Sequence, residues 1–307
     1  MESNSGILHS TPPLGIGGLY TIENSLVKVV IDSKGAELQS LTHKNFEMEY
    51  MWSGDPAFWG KKSPVLFPIV GGLKNGSYTY NGELYKMGRH GFAREMEFEV
   101  SWQKDDAIMF TLQSNEQTLQ VYPFHFSFSV KYTLDYNDLN VSYIVKNAGK
   151  EDMYFSVGGH PAFKLPMTTA TSYDDYYLQF SRSEALDRWP LSADGLIENH
   201  TKSLIKISDK LPLLKELFHE DALVFKHLAS KYIYILSRKT THGLKVHIAG
   251  FPFLGIWAAK NADFVCIEPW CGIADSVNAT GNLAEKEGIN KLSAGATFER
   301  TWSVEVF

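Results

Sequence analysis

Long runs of alternating apolar and polar residues constrain this fold more than any other feature of the sequence. In residues 124–134, Phe, Val, Tyr and Leu occupy every second position, with His, Ser, Lys and Thr between them. Successive side chains of a β-strand point to opposite faces, so this period of two predicts a strand with one buried face. Residues 135–138 are typical of a turn, and residues 139–145 are predicted to return as the hairpin partner.

The same pattern recurs along the chain, whereas helical periodicity is sparse. Asn81-Gly82, a pair that accepts positive φ, predicts a tight hairpin between residues 77–80 and 83–86. Further strands are predicted at residues 97–102, 108–113, 232–237, 244–248 and 297–306, and short helices at residues 211–218 and 282–287. Strands and helices do not alternate, so the prediction is an all-β fold, a large antiparallel β-sandwich with very few short helices.

The chain is predicted to form a single folded domain. Residues 1–19 are rich in Ser, Gly and Pro and are interpreted as a flexible N-terminal leader. No linker or change of composition divides residues 20–307, which are interpreted as one β-sandwich domain. With 44% hydrophobic residues, a chain of this length has enough apolar surface for a large core.

Composition argues against several classes of partner. The formal charge is -6 and there is no run of Lys and Arg, which argues against nucleic-acid binding. No apolar run approaches the ~18 residues that span a bilayer, and the N-terminus does not resemble a secretory signal. The prediction is a cytoplasmic protein, a monomer or homodimer, with no membrane partner. Cys266 and Cys271 imply no disulfide framework.

Two histidines and one glutamate are the strongest candidates for catalytic residues. Each lies where a predicted strand gives way to Gly or Pro, and each has aromatic neighbours: His90 precedes Gly91, His160 precedes Pro161, and Glu268 precedes Pro269. Two imidazoles and a carboxylate are enough to move protons onto and off two oxygens of one small molecule.

The surroundings of Glu268 favour a role as a base, although structural interpretations stay open. Glu268 leaves an apolar strand beside Trp270, so desolvation is predicted to raise its pKa. Alternatively, Glu268 is a buried salt-bridge partner of Arg89 or Arg94, His90 lies in a surface loop, and His160 stabilises a turn.

Motifs for other chemistries are absent from the sequence. There is no closely spaced His or Cys pair typical of zinc sites, no glycine-rich phosphate loop, and no Gly-x-Ser-x-Gly nucleophile turn. The prediction therefore includes no metal and no cofactor. The aromatic content, 13% of residues, suits stacking on a sugar ring and is equally typical of a sandwich core.

Five segments resemble the aldose 1-epimerase (galactose mutarotase-like) family, and more narrowly its bacterial branch found alongside lactose-utilisation enzymes. In order, they are residues 63–71 (SPVLFPIVG), 90–94 (HGFAR), 159–163 (GHPAF), 250–252 (GFP) and 267–272 (IEPWCG). Each segment is weakly specific alone, but the ordered set covers nearly the whole chain. The resemblance implies a galactose mutarotase-like supersandwich with a sugar site in a groove across one sheet.

The resemblance also implies an activity and a division of roles. A cofactor-independent isomerase of this kind interconverts the α and β anomers of a free aldohexose by opening and closing its ring. Glu268 matches the general base that takes the proton from the anomeric hydroxyl. His160 matches the general acid that protonates the ring oxygen, and His90 matches the histidine that binds and polarises the substrate near that oxygen.

The sequence departs from the family at one substrate-binding position. Gly72 stands where many members carry an arginine that reaches the sugar. The candidates to replace this arginine are Lys74, Arg89 and Arg94. The remaining substrate-binding residues that the resemblance implies are Asp221 as the sugar-binding aspartate, and Phe253 or Trp257 as a ring-stacking wall.

Two other functions remain open from the sequence. In a hexose-6-phosphate 1-epimerase, Arg89 and Arg94 would contact the phosphate. In a non-catalytic carbohydrate-binding sandwich, no arginine would be needed at Gly72, but the acid and base residues would have no purpose.

Overall fold

The computed structural model describes residues 17–307, and within that range the regular secondary structure is mostly antiparallel strand. The strands are β1 Leu19–Glu23, β2 Val27–Asp32, β3 Glu37–His43, β4 Met48–Glu49, β5 Val65–Leu66, β6 Ser77–Tyr80, β7 Glu83–Lys86, β8 Glu99–Lys104, β9 Ala107–Gln113, β10 Phe126–Asp135, β11 Asp138–Asn147, β12 Met153–Phe155, β13 Val157–Gly159, β14 Ala162–Lys164, β15 Tyr176–Arg188, β16 Lys202–Pro212, β17 Leu223–Lys226, β18 Tyr232–Ser237, β19 Leu244–His247, β20 Phe253–Trp257, β21 Phe264–Cys271, β22 Asn290–Leu292 and β23 Thr297–Val306.

Helices are few and short in the described part of the chain. There is one α-helix, α1 Glu116–Val121. The 3₁₀ turns are Lys44–Phe46, Lys74–Gly76, Ala93–Glu95, Tyr173–Asp175, Lys215–Phe218 and Leu283–Glu285. No helix among residues 17–307 is long and apolar enough to cross a membrane.

Two large antiparallel sheets enclose the main core. The nine-stranded sheet has the order β16-β15-β18-β19-β23-β11-β10-β9-β8, and the six-stranded sheet has the order β17-β20-β21-β13-β5, with β14 also pairing with β21. Aromatic rings join the two layers. Phe67, directly after β5, stacks on Phe128 of β10 with 4.4 Å between ring centroids. The alternation that predicted an all-β sandwich therefore reflects this buried layer.

The hairpins predicted from the alternating pattern are confirmed. In the β10–β11 hairpin, Asp135 pairs with Asp138, so the predicted turn residues form its tip. In the β6–β7 hairpin, Tyr80 pairs with Glu83, and both loop residues have positive φ. The other predicted strands correspond to β8, β9, β18, β19 and β23.

The prediction of a helix at residues 211–218 was wrong. Leu211 belongs to β16, where it pairs with Leu178 of β15. Leu211 and Leu213 are buried while Leu214 is exposed, so period-two burial and ladder hydrogen bonds replace helical packing. Only Lys215–Phe218 forms a 3₁₀ turn.

The predicted helix at residues 282–287 is reduced to a single turn, and a real helix was missed. Asn282 caps the 3₁₀ turn Leu283–Glu285 by accepting a hydrogen bond from the Ala284 amide. The helix α1 begins after Asn115, whose side chain accepts from the Thr118 amide, a local capping signal that the sequence does carry. The predicted leader, residues 1–19, lies mostly outside the described residues.

Candidate active site

A groove of about 600 Å³ lies over the six-stranded sheet and brings together three distant parts of the chain. Glu268 extends from the middle of β21, and His160 follows β13. His90 lies in the loop after β7. All three predicted catalytic residues line this groove, as do Arg89, Arg94, Asp221 and Trp257.

Glu268 and His160 form a buried pair at the bottom of the groove. His160 Nε2 lies 3.2 Å from Glu268 Oε2, and the two side chains are 10% and 2% exposed. Glu268 Oε2 and His160 Nδ1 have no hydrogen-bond partner among the described residues. Buried polar atoms are normally satisfied, so unpartnered atoms facing a groove are typical of groups that bind a ligand.

Burial shifts the pKa values of this pair in opposite directions. It raises the pKa of Glu268 well above its usual range, an effect that Asp221 adds to and that Arg89 and the Trp270 indole oppose. It lowers the pKa of His160 to about 3, with Arg89 and Arg94 adding to the decrease. Burial thus favours the neutral form of each group, the protonated carboxyl and the uncharged imidazole.

His90 is held by Gly71 through two hydrogen bonds. The His90 amide donates to the Gly71 carbonyl over 2.9 Å, and His90 Nδ1 accepts from the Gly71 amide over 3.1 Å. Because Nδ1 is an acceptor, the imidazole proton lies on Nε2, which is then a donor. Burial keeps this ring neutral by lowering its pKa well below the usual value, an effect that His160, Arg89 and Arg94 increase.

The local backbone explains why Gly71 and His90 have these positions. A Cβ on Gly71 would lie 2.4 Å from the Ala274 Cβ, and its φ is +72°, so no other residue fits there without a shift of the backbone. His90 itself has a φ of 69°, an uncommon conformation for a residue with a side chain. Backbone strain of this kind is concentrated at functional sites.

Three tryptophans form the apolar surface around the acid–base pair. The rings of Trp59 and Trp257 lie 4.9 and 5.5 Å from the His160 ring. Trp270, two residues after Glu268 on β21, also lines the groove. It fits closely against its neighbouring strands, because a Cβ on Gly158 or Gly255 would lie within 2.6 Å of its ring.

Trp59 and Trp270 were not among the predicted site residues. The signal for Trp270 was present, because residues two apart on a strand share a face, and Glu268 was already a candidate. Trp59 lies in an irregular segment before β5 with no periodicity, and its sequence carries no signal of this kind.

Three charged residues, Arg89, Arg94 and Asp221, also line the groove. Arg94 Nη2 donates a hydrogen bond to the Arg89 backbone carbonyl over 3.1 Å, so the two arginines lie next to each other. Asp221 has a φ of 107°, and its Oδ1 accepts from the Ala222 amide over 2.7 Å. Within residues 17–307, Arg89, Arg94 and Asp221 form no ion pair. These side chains therefore have charge available for a ligand.

Two residues predicted to bind substrate do not line the groove. Lys74 lines a neighbouring cavity of about 620 Å³, where its Nζ donates to the Ala279 carbonyl over 3.3 Å. Phe253 is 5% exposed and packs against the His227 ring, beneath the groove surface. Each is held by these contacts outside the groove lining.

Arg89 lies close to Gly72, where the sequence resemblance leads us to expect an arginine. A Cβ on Gly72 would lie 3.7 Å from the Gly195 carbonyl, and one on Gly195 would lie 3.2 Å from Arg89 Nη1. Gly72 itself lines the neighbouring cavity, whereas Arg89 borders both that cavity and the groove.

Two groove residues and the buried Cys266 have the donor types of a metal site. A nitrogen of His160, the sulfur of Cys266 and a carboxylate oxygen of Glu268 lie within 4.8 Å of one another. Neither cysteine forms a disulfide.

Comparison with solved structures defines the class of this fold as galactose mutarotase-like. A galactose mutarotase related enzyme from Lactobacillus acidophilus superimposes with a TM-score of 0.91, at 39% identity, covering 94% of this chain and 97% of that one. A galactose mutarotase-like protein from Lactobacillus casei gives a TM-score of 0.89 at 33% identity, covering 94% of this chain and 100% of that one.

The sequence comparisons then give the family. The profile of the Aldose 1-epimerase family matches residues 18–301. Protein LacX of Lactococcus lactis subsp. lactis is 30% identical over 295 residues, which is 93% of this chain and 98% of that protein. The chain belongs to the aldose 1-epimerase family.

Proposed function

We propose that this protein is an aldose 1-epimerase that interconverts the α and β anomers of a free aldohexose. The observation that carries the proposal is the Glu268–His160 pair, with its 3.2 Å contact and unpartnered buried atoms in a groove of about 600 Å³. Trp59, Trp257 and Trp270 supply the apolar surface on which a sugar ring stacks.

In the proposed mechanism, Glu268 and His160 act on two oxygens of the same sugar. Ionised Glu268 accepts the proton of the anomeric hydroxyl, the bond between the anomeric carbon and the ring oxygen breaks, and protonated His160 donates to the ring oxygen. The resulting aldehyde rotates about its bond to the next carbon, and the reverse proton transfers close the other anomer. Each transfer by a placed group contributes ~10²–10⁴ in rate.

The starting arrangement requires one internal proton shift. In the free site the shared proton lies on Glu268, because burial favours the neutral forms of both groups. Moving this proton to His160 across the 3.2 Å contact creates the ionised base and the protonated acid together. Arg89 favours this step at the carboxylate, since its charge lowers the pKa of Glu268, and opposes it at the imidazole, whose pKa it also lowers.

The remaining groove residues are proposed to bind and orient the sugar. Nδ1 of His90 accepts a hydrogen bond from the Gly71 amide, which leaves Nε2 to donate to the substrate. Asp221 accepts from sugar hydroxyls and Arg89 donates to them, because neither side chain has an ion-pair partner in the described structure. Trp257 is the proposed stacking wall.

A second candidate is a hexose-6-phosphate 1-epimerase. Arg89 and Arg94 are adjacent, line the groove and form no ion pair among residues 17–307, an arrangement that suits a phosphate group. The phosphate would then supply the counter-charge that these guanidinium groups lack.

Optical rotation tests both candidates directly. Freshly dissolved α-D-glucose, α-D-galactose and α-D-glucose 6-phosphate are followed with and without the protein. We expect acceleration with the free sugars, and loss of it in Glu268→Gln and His160→Gln. The control is Glu184→Gln, a buried glutamate outside the groove whose carboxylate accepts from the Ser230 amide.

The outcomes separate the candidates. Faster mutarotation of the phosphorylated sugar alone would replace the free hexose with its 6-phosphate. No acceleration of any sugar, together with measurable sugar binding by calorimetry, would overturn catalysis and leave a carbohydrate-binding sandwich.

A further inference from the structure

Cys266 lies beside the proposed acid–base pair and has no role in the proposed reaction. It precedes Glu268 by two residues on β21, so the two side chains share a face of the strand. Across the sheet Cys266 is paired with Trp257, a residue of the groove wall. Its sulfur and the ligand atoms of His160 and Glu268 all lie within 4.8 Å of one another.

These three side chains have donor atoms that are not used elsewhere. Glu268 is 1% exposed and His160 is 8% exposed, yet Glu268 Oε2 and His160 Nδ1 have no hydrogen-bond partner in the described structure. Cys266 is fully buried, and no hydrogen bond of its thiol is present among residues 17–307. The cluster thus combines proximity with free coordinating atoms.

The donor types suit a borderline-soft divalent cation. Zn²⁺ binds thiolate at ~2.3 Å and imidazole or carboxylate at ~2.0–2.2 Å, so donors on one tetrahedral ion lie ~3.3–3.7 Å apart. The observed limit of 4.8 Å is about 1 Å longer, so binding requires the three side chains to close around the ion. A sulfur donor favours Zn²⁺ over Mg²⁺ or Ca²⁺, which bind oxygen.

The sequence hides this cluster because its members come from separate segments. His160 follows β13, whereas Cys266 and Glu268 belong to β21, so a search for closely spaced ligands finds nothing. Antiparallel pairing of β13 with β21 brings the segments together. Three protein ligands leave one tetrahedral position open toward the groove, as in other open zinc sites.

We propose that His160, Cys266 and Glu268 form a binding site for Zn²⁺ or a similar thiophilic divalent cation, and that the bound ion blocks the acid–base pair. The inhibitory half of this proposal rests on the proposed epimerase function, whereas the binding half does not. Cys266 binds as the thiolate and releases its proton to solvent. With the ion in place, the His160 nitrogen and the Glu268 oxygen that coordinate it cannot transfer protons.

Binding is tested first, with Co²⁺ as the spectroscopic probe for the zinc site. Tag-free protein, kept reduced with a non-chelating phosphine, is titrated with Co²⁺ while the near-ultraviolet thiolate-to-Co²⁺ charge-transfer band is recorded. We expect the band in the wild type and its loss in Cys266→Ser. The matched control is Cys271→Ser, which removes the other buried thiol of β21 and is expected to keep the band.

Zn²⁺ affinity gives the quantitative measure. Competition with a chromophoric chelator is expected to show at least a ~10-fold weaker affinity in Cys266→Ser, since even outer-shell changes cost 10–100-fold. Absence of the band from the wild type, or its survival in Cys266→Ser, would overturn the site.

Inhibition is tested separately, so the two proposals fail in different ways. Zn²⁺ is expected to slow mutarotation by the wild type and Cys271→Ser, with recovery after addition of EDTA, and to have much less effect on Cys266→Ser. Zn²⁺ binding without inhibition would overturn the blocking role. A protein that binds Zn²⁺ but accelerates no sugar would overturn the epimerase proposal and leave the metal site.

Discussion

The Glu268–His160 pair and the charged residues of the groove are held in different ways. Glu268 and His160 are held by neighbouring strands of the six-stranded sheet and are almost completely buried. Arg89, Arg94 and Asp221 come from loops and turns that also line the groove. The sheet thus holds the proposed acid–base pair, and the irregular segments hold the charges proposed to contact a ligand.

Because of this difference, we expect the acid–base pair and the charged residues to respond differently to mutation. A buried acid–base pair has few ways to compensate for a lost atom, because solvent is excluded and the neighbouring strands are fixed. Charges in exposed loops are screened by water, and several of them are proposed to bind the same ligand. Removing one of them is therefore expected to reduce activity less. The following experiments test that contrast, from the largest expected effect to the smallest.

The largest effect is expected from Glu268→Gln, which keeps the shape of the side chain and removes the base. Mutarotation is expected to slow by about 10³-fold, within the range for a placed proton-transfer group. Polarimetry with the preferred sugar measures the rate. Turnover within a few-fold of the wild type would remove Glu268 from the mechanism.

A smaller loss is expected from His90→Asn. Asparagine tolerates the positive φ of this position, so the backbone is expected to keep its conformation while the donor from Nε2 is lost. The expected decrease in kcat/KM is about 10²-fold. Circular dichroism of the variant controls for folding, and an unchanged rate would show that His90 has no catalytic role.

Two glycines differ in how closely their neighbours pack around them. Gly255→Ala would place a Cβ 2.5 Å from Trp270, whereas Gly72→Ala has at least 3.7 Å to its neighbours and an ordinary φ. We expect Gly255→Ala to lower the free energy of unfolding by about 1–3 kcal/mol and Gly72→Ala to change it by less than about 1 kcal/mol. Urea unfolding measures both, and equal effects would contradict the close packing of Trp270.

The pH dependence of stability gives a test that is independent of activity. The pKa of Glu268 is raised above 4.5 in the folded state, so above pH 4.5 the unfolded chain releases a proton that the folded protein retains. The free energy of unfolding therefore falls as pH rises from 4.5 toward the folded pKa. Glu268→Gln removes this penalty and is expected to gain stability over the wild type as pH increases.

For His160, the pH dependence of the free energy of unfolding has the opposite sign. Its folded pKa is about 3 against an ordinary 6.5, so the unfolded chain takes up a proton below pH 6.5 while the folded protein does not. His160→Gln is therefore expected to gain stability over the wild type as pH falls from 6.5 toward 3. Parallel stability curves for wild type and both variants would refute the assigned shifts.

The smallest effects on activity are expected from changes to the charged residues Arg89 and Asp221. Arg89 lowers the pKa of Glu268 and Asp221 raises it. Because the pair must keep its shared proton, kcat/KM is expected to fall as rising pH removes that proton from Glu268 to solvent. Arg89→Met should move this fall to higher pH and Asp221→Asn should move it to lower pH. Shifts in the same direction would show that these charges do not act through Glu268.

The sequence predicted the fold class because alternation is a local signal. The β10–β11 and β6–β7 hairpins were found for this reason, since their strands pair with sequence neighbours. The helix predicted at residues 211–218 was wrong because a short apolar run fits either period, and pairing with β15 decided the outcome.

The candidate site was predicted unevenly for a related reason. The three catalytic candidates lie at Gly and Pro boundaries that the sequence marks, and the structure places all three on the groove. The Cys266 cluster depends on contact between β13 and β21, which no local pattern reveals. Lys74 was a candidate to replace the arginine that the resemblance expects at Gly72, and Phe253 a candidate stacking wall from the same resemblance, and neither lines the groove.

The bond from the Gly71 amide to His90 Nδ1 makes this single peptide group a natural spectroscopic probe. A protonated Nδ1 cannot accept a hydrogen bond, so the Gly71 amide resonance reports which imidazole nitrogen carries the proton. Isotope labelling of glycine alone would make that signal visible in a protein of this size. The tautomer of His90 could then be followed during titration with sugar or metal ion, without any change to the site itself.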